Sequence, residues 1–233
     1  MPASPETAEP SSESRGSRLL KPPRRWVVVT GVVIILALII STLLRVSTVD
    51  LYAVNQESMH PTLRDGERIA VVKNYPDEGG VQRGDIVVFD GEGSFTPYQG
   101  GPSLTRTLET MGHWIGLGPA PHVYVKRVIG AEGDLVSCCD DSGQLTVNGE
   151  PIVEGYLPEQ VSPEQPASDL TFEALVPEGR IWVMGDNRGE SVDSRDLLGA
   201  PGGGMISEDR IIGLATSVVW PWEDRRDLEG GLR

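Results

Sequence analysis

Apolar and polar positions divide the chain into three parts. Residues 1–25 are rich in Pro, Ser and Glu and show no apolar period. Such a segment buries too little surface to offset the entropy of ordering, and a disordered tail is predicted. Residues 26–44, WVVVTGVVIILALIISTLL, form an uncharged run dense in Val, Ile and Leu. As a helix this run reaches about 28 Å, close to the hydrocarbon thickness of a bilayer. It is longer than the apolar region of a cleavable leader, and LLRVSTVDL beyond it holds no A-x-A cleavage site. It also lacks the polar face of a helix packed on a core. A membrane anchor over residues 26–45 is predicted, with an outer domain over 46–233.

In the outer domain the period changes to two. STVDLYAV (47–54) places Val49, Leu51 and Ala53 on one side and Asp50, Tyr52 and Val54 on the other. Segments 67–73, 85–89, 123–130, 134–138, 145–149, 180–185 and 210–220 are short, rich in Val and Ile, and separated by Gly, Asp, Asn and Pro. They read as strands, and DDSG at 140–143 suits a hairpin turn. The fold class is therefore mainly β. One stretch departs from this. Leu104, Leu108, Met111 and Ile115 recur at helical spacing after Ser103, a candidate cap, so a short helix packed on the sheet is predicted. Residues 90–103 and 150–179, rich in Gly, Pro, Gln and Glu, read as surface insertions or lids.

Charge sets the orientation and excludes one class of partner. Arg15, Arg18, Lys21, Arg24 and Arg25 precede the apolar run, and only Arg45 follows closely. The positive-inside rule then leaves the N-terminus in the cytoplasm and residues from 47 onward outside. Net charge is −14 overall; from residue 47 there are 14 Lys and Arg against 31 Asp and Glu. No basic stripe is available to displace counterions, so nucleic acid is not an expected partner. Cys138 and Cys139 are adjacent. Outside the cell a disulfide between them is permitted, and two unpaired thiols are the alternative. His60, His113 and His122 show no metal-ligand spacing, and there is no phosphate loop or dinucleotide fingerprint. Neither metal nor cofactor is expected.

Three segments carry candidate chemistry. HVYVKRVIG places Lys126 and Arg127 mid-strand on opposite faces, so one of the two cations must point among apolar side chains. A lysine guarding a sheet edge would explain this. A lysine desolvated until neutral would instead be a general base. NQESMHPTL (55–63) offers Ser58, by itself an ordinary turn residue, as the nucleophile such a base would serve. VMGDNRGESVDSR (183–195) crowds carboxylates, guanidiniums and hydroxyls directly after a strand, more than a simple connection needs.

Together the segments resemble the bacterial type I signal peptidases, membrane-bound serine proteases with a Ser–Lys dyad. SMHPTL (58–63), RGDIVVF (83–89), YVKRVIGAEGD (124–134) and GDNRGESVDSR (185–195) match the family's ordered boxes. The resemblance covers roughly residues 26–220. It implies an antiparallel β catalytic domain with a smaller β region inserted between the lysine box and the last box; insertions near 90–121 and 135–179 are expected in the domain. It implies Ser58 as nucleophile and Lys126 as general base. Ser191 would orient the lysine, with Asp193 and Arg195 as structural partners. The Ser58 N–H would form part of the oxyanion hole. Many members carry serine two residues before the nucleophile; Gln56 stands there in this chain, and its carboxamide can donate instead. Tyr52, Val54, Met59, Leu63, Tyr124 and Val125 would line shallow pockets for small substrate residues at −1 and −3. Preproteins carrying signal peptides and the lipid bilayer are the implied partners, no cofactor is implied, and a monomer is expected. Two rivals stand beside this reading. Soluble self-cleaving repressors also use Ser–Lys pairs, but the apolar run and the acidic outer domain argue against them. A non-enzymatic anchored β domain is the other.

Overall fold

The computed structural model describes residues 25, 29–37, 49–73, 75–76, 80–96 and 122–228. The chain divides into two compact units, residues 1–46 and 47–233. In the first unit residues 29–37 are helical, with their large apolar side chains exposed. Among the described residues no helix is long and apolar enough to cross a membrane. The rest of the apolar run, the tail before Arg25 and the helical stripe at 104–115 lie outside the described residues.

Among its described residues the second unit holds twelve strands: β1 (Val49–Ala53), β2 (Arg68–Val72), β3 (Ile86–Asp90), β4 (Val123–Gly130), β5 (Leu135–Cys138), β6 (Leu145–Val147), β7 (Glu150–Pro151), β8 (Phe172–Leu175), β9 (Arg180–Met184), β10 (Ile206–Ser207), β11 (Ile211–Trp220) and β12 (Arg226–Asp227). The larger sheet has the order β1-β2-β11-β3-β4-β9-β10, with β12 beside β11. A second sheet, β7-β6-β5-β8, is formed by the chain between β4 and β9. Every pairing between these strands is antiparallel.

The sequence pattern explains this arrangement. β3 reads IVVFD and is buried at its first four positions, as a strand covered on both faces requires. It lies between β11 and β4. One layer of core gathers Val54, Met59, Leu63, Ile69, Ile86, Val88 and Val218. Another holds Val87, Phe89, Val128, Ile181, Val183 and Ile206. The second sheet fastens to the first through a third apolar layer, in which Phe172 of β8 stacks on Trp182 of β9 at 5.2 Å.

The eight strands expected from periodicity are present, each shortened by at most two residues at an end or shifted by one. Four very short ones were not legible. β8 lies inside 150–179, a stretch expected to be surface insertion, yet Phe172 and Ala174 are buried there. Four alternating residues are too few to register as a period. Lys73, just after β2, pairs with Asp50 of β1 at 3.0 Å. Cys138 and Cys139 are joined as a disulfide.

Candidate active site

Ser58 lies on a turn between β1 and β2 that is anchored from beneath. Met59 and Leu63 are fully buried in the apolar layer under the turn, and the Leu63 N–H donates to the Met59 carbonyl at 2.9 Å. The base of the loop is closed by Val54 N–H to Glu67 O and Gly66 N–H to Val54 O. Arg226 of β12 locks it further, donating to both Glu67 carboxylate oxygens at 2.8 Å and to the Thr62 carbonyl at 2.6 Å. Burial of Glu67 opposes its ionisation, yet Arg226 holds the carboxyl below its ordinary range. Ser58 itself is 8% exposed.

β4 delivers the two cations. Their register is Val87↔Lys126 and Ile86↔Arg127 against β3. Sequence alternation required one of them to be buried; the structure buries both, Lys126 to 1% and Arg127 to 2% exposure. They are satisfied in opposite ways. Arg127 donates to both oxygens of Asp186 at 2.8 and 2.7 Å and to the Gly84 carbonyl at 2.8 Å. Lys126 forms no ion pair among the described residues; its Nζ donates to the Ser191 hydroxyl at 3.0 Å. Burial dominates and lowers the Lys126 pKa from 10.5 to about 8, with Asp193 and Asp186 pulling it up and Arg195 pushing it down. An amine in this state exchanges its proton near neutral pH.

The loop after β9 supplies the third side. Asp193 accepts from Arg195 Nε and a terminal nitrogen, both at 2.8 Å, and from the Gly185 N–H at 3.0 Å. Burial works against the Asp193 charge, but Arg195, the Gly185 N–H and the Ser191 hydroxyl keep its pKa below the ordinary value. Gly185 is the point of closest approach. A Cβ there would overlap both the Ser191 hydroxyl and the Ser58 carbonyl. The Asn187 N–H donates to the Ser58 carbonyl at 3.1 Å, so this loop and the serine turn are joined through backbone.

Gln56, Glu57, Ser58, Phe95, Tyr124, Lys126, Glu190 and Val192 line one open cavity of about 430 Å³. Ser58, Lys126, Gln56 and Tyr124, all singled out from sequence, therefore share a wall. Ser191, Asp193 and Arg195 stand behind Lys126, buried. The other proposed pocket residues lie elsewhere. Val54, Met59 and Leu63 are inside the apolar layer, with Tyr52 and Val125 packed against it. Sequence reasoning missed Gly185, whose role depends on two distant segments meeting. It also missed Phe95, whose ring centroid lies 5.2 Å from that of Phe89 and 5.3 Å from that of Tyr124. A single Phe in GEGSFTP carries no periodic signal.

A buried lysine that opens on the same cleft as a serine can do the chemistry of a serine hydrolase without histidine. Comparison with known proteins agrees with that class. A family model described as signal peptidase, peptidase S26, matches residues 24–220. The chain belongs to this family of signal peptidases and is a serine endopeptidase, which removes the non-enzymatic alternative. It is 35% identical to signal peptidase I T of Bacillus subtilis (strain 168), over 85% of this chain and 88% of that protein. It is 33% identical to signal peptidase I of Bacillus amyloliquefaciens, over 96% and 99%. The crystal structure of a signal peptidase I from Enterococcus faecalis V583 is 26% identical, covers 58% of this chain and 97% of its own, and superposes with a TM-score of 0.39.

Proposed function

We propose that the chain removes N-terminal signal peptides from exported preproteins, with Ser58 as nucleophile and Lys126 as general base. One observation carries this reading. Lys126 is fully buried, free of ion pairs among the described residues, lowered to about 8, and lines the same cleft as Ser58. In the reaction, neutral Lys126 accepts the Ser58 hydroxyl proton as Oγ attacks the scissile carbonyl. The tetrahedral intermediate's oxyanion is met by the Ser58 N–H and the Gln56 carboxamide. Its collapse breaks the C–N bond, and the lysine proton passes to the leaving amine. Water, deprotonated by the same lysine, then releases the acyl group. The Ser191 hydroxyl, which accepts from Nζ at 3.0 Å, orients the amine for these transfers.

The substrate adds as an extended strand. Residues 123–126 of β4 pair with β3 on one side, while β9 pairs only from Arg127 onward, which leaves an edge for β-augmentation beside Lys126. Small residues at −1 and −3, of A-x-A type, fit a shallow cleft walled by Tyr124 and Val192. The chain acts as a monomer anchored through residues 26–45, N-terminus in the cytoplasm and residues from 47 onward outside. Val49 and Leu51 of β1, with Trp220 and Trp222, are large apolar side chains left 44–66% exposed, which suits a domain working against a bilayer. The experiment is cleavage of a purified preprotein by the detergent-solubilised chain beside Ser58→Ala and Lys126→Arg. Guanidinium does not deprotonate in a protein, so both variants should be inactive. Substantial cleavage by a folded Lys126→Arg chain would remove the lysine from the base role.

A further inference from the structure

The connection from β7 to β8, expected to be surface, sends two side chains into the interior toward the active loop. Glu154 and Arg188 are paired, with side-chain exposures of 2% and 11%. Arg188 donates to both Glu154 oxygens, to the Ala167 carbonyl at 3.0 Å and, through Nε, to the Gly185 carbonyl at 3.2 Å. The Tyr156 hydroxyl donates to Glu154 Oε1 at 2.5 Å. The Tyr156 ring lies under the Arg127 guanidinium, 3.8 Å from its centroid. Two residues of one connection therefore grip two arginines beside the proposed site, Arg188 and Arg127. From Arg188 the path continues inward: its carbonyl accepts from Arg195 at 3.0 Å, and Arg195 holds Asp193, which receives the Gly185 N–H.

Adhesion between the sheets does not account for this. The second sheet already fastens to β9 through its own apolar layer, Phe172 on Trp182. A buried ion pair adds little net stability, because desolvation consumes most of its attraction. What the network supplies is position. Gly185 is the residue that touches both Ser58 and Ser191, and Arg188 is bonded to its carbonyl.

We propose that Glu154 and Tyr156 are positioning residues for the Ser58–Lys126 chemistry, acting through Arg188 and Arg127 to hold the 185–195 loop at the depth that keeps Lys126 dry. The proposal rests on the Ser–Lys reading above. The charged groups that act most on Lys126 are Asp193, Arg195, Asp186 and Asp196, and Glu57 and Glu190 line the same cleft; substitution of Glu154 removes none of them. Loss of the Glu154 carboxylate leaves the Arg188 charge uncompensated, which by itself would push the lysine down, so an upward shift would come from hydration through a loosened loop.

The test uses the full solubilised chain and a peptide substrate across pH 6–10. For Glu154→Gln, kcat should fall about tenfold, KM should stay within about twofold, and the acid limb of kcat/KM should move up by about half a pH unit or more. Tyr156→Phe keeps the ring over Arg127 and loses the hydroxyl, so it should show a smaller shift in the same direction, and it serves as the readout if Glu154→Gln does not fold. Val147→Ala weakens the second sheet's core at a position outside the network; it should lower Tm and leave kcat and the acid limb unchanged. A wild-type kcat and acid limb in folded Glu154→Gln, or the same changes in Val147→Ala, would overturn the proposal. With Ser58→Ala and Lys126→Arg inactive in the same assay, that failure would fall on the positioning role alone. Activity in Lys126→Arg would instead bring down the Ser–Lys reading, and the proposal with it.

Discussion

A lysine kept for chemistry should weaken the fold that holds it, and Lys126→Met measures by how much. The lysine's pKa falls from 10.5 in the open chain to about 8 in the fold. At about 1.36 kcal/mol per pH unit, burying this amine in its protonated form costs about 3 kcal/mol at pH 7. Methionine fills a similar volume without charge but forfeits the hydrogen bond to Ser191, worth about 1 kcal/mol. The variant should therefore gain about 2 kcal/mol at neutral pH. For a domain of this size that is a rise in Tm of about 4–8 °C. The pH dependence follows from which state binds the proton. Between 10.5 and about 8 the unfolded chain takes it up and the folded chain does not, so the wild type loses stability as pH falls through that window. Below about 8 both states are protonated and the difference is constant. Above 10.5 both are neutral and the methionine advantage should vanish or reverse. Thermal unfolding of both solubilised chains from pH 6 to 11, with peptide cleavage alongside, reads all of this. A methionine variant less stable than wild type at pH 6–8 would mean that Lys126 is a stabilised charge and would refute the reasoning.

Three further outcomes follow from the same geometry. Gly185→Ala should abolish activity and lower Tm, because the new methyl displaces either the Ser191 hydroxyl or the Ser58 carbonyl; a wild-type turnover number would show that the loop yields without consequence. Gln56→Ala should lower kcat by about 10²–10³ with little change in KM if the carboxamide completes the oxyanion hole, and steady-state kinetics on one peptide decides it. A peptide with A-x-F at the cleavage site should be cut far more slowly than A-x-A, a misfit of about 1–3 kcal/mol in a shallow cleft; equal rates by mass spectrometry would exclude the pocket assignment.

Some of this protein follows from local sequence alone. Alternation in HVYVKRVIG assigns Lys126 and Arg127 to opposite faces because successive side chains of any strand point opposite ways. Ordered boxes around Ser58, Lys126 and Ser191 named the family, since four segments in fixed order carry more information than any one of them. The eight longer strands were legible for a similar reason: each contains enough residues to display a period. What surrounds them was not. Both cations are buried only because β4 lies between β3 and β9 with an apolar layer on either face, and no single strand specifies its neighbours. Whether a buried cation is paired or left to lose its proton depends on where the carboxylates fall. Asp186 reaches Arg127, while Asp193 is taken by Arg195, and these residues lie about sixty positions from β4. Gly185, Glu154 and Tyr156 matter through contacts with segments far away in the chain. Composition marked the stretch from 150 to 179 as surface, because polar and charged residues are buried only where a distant partner satisfies them. Here those partners are Arg188 and Arg127, and only the folded chain brings them within reach.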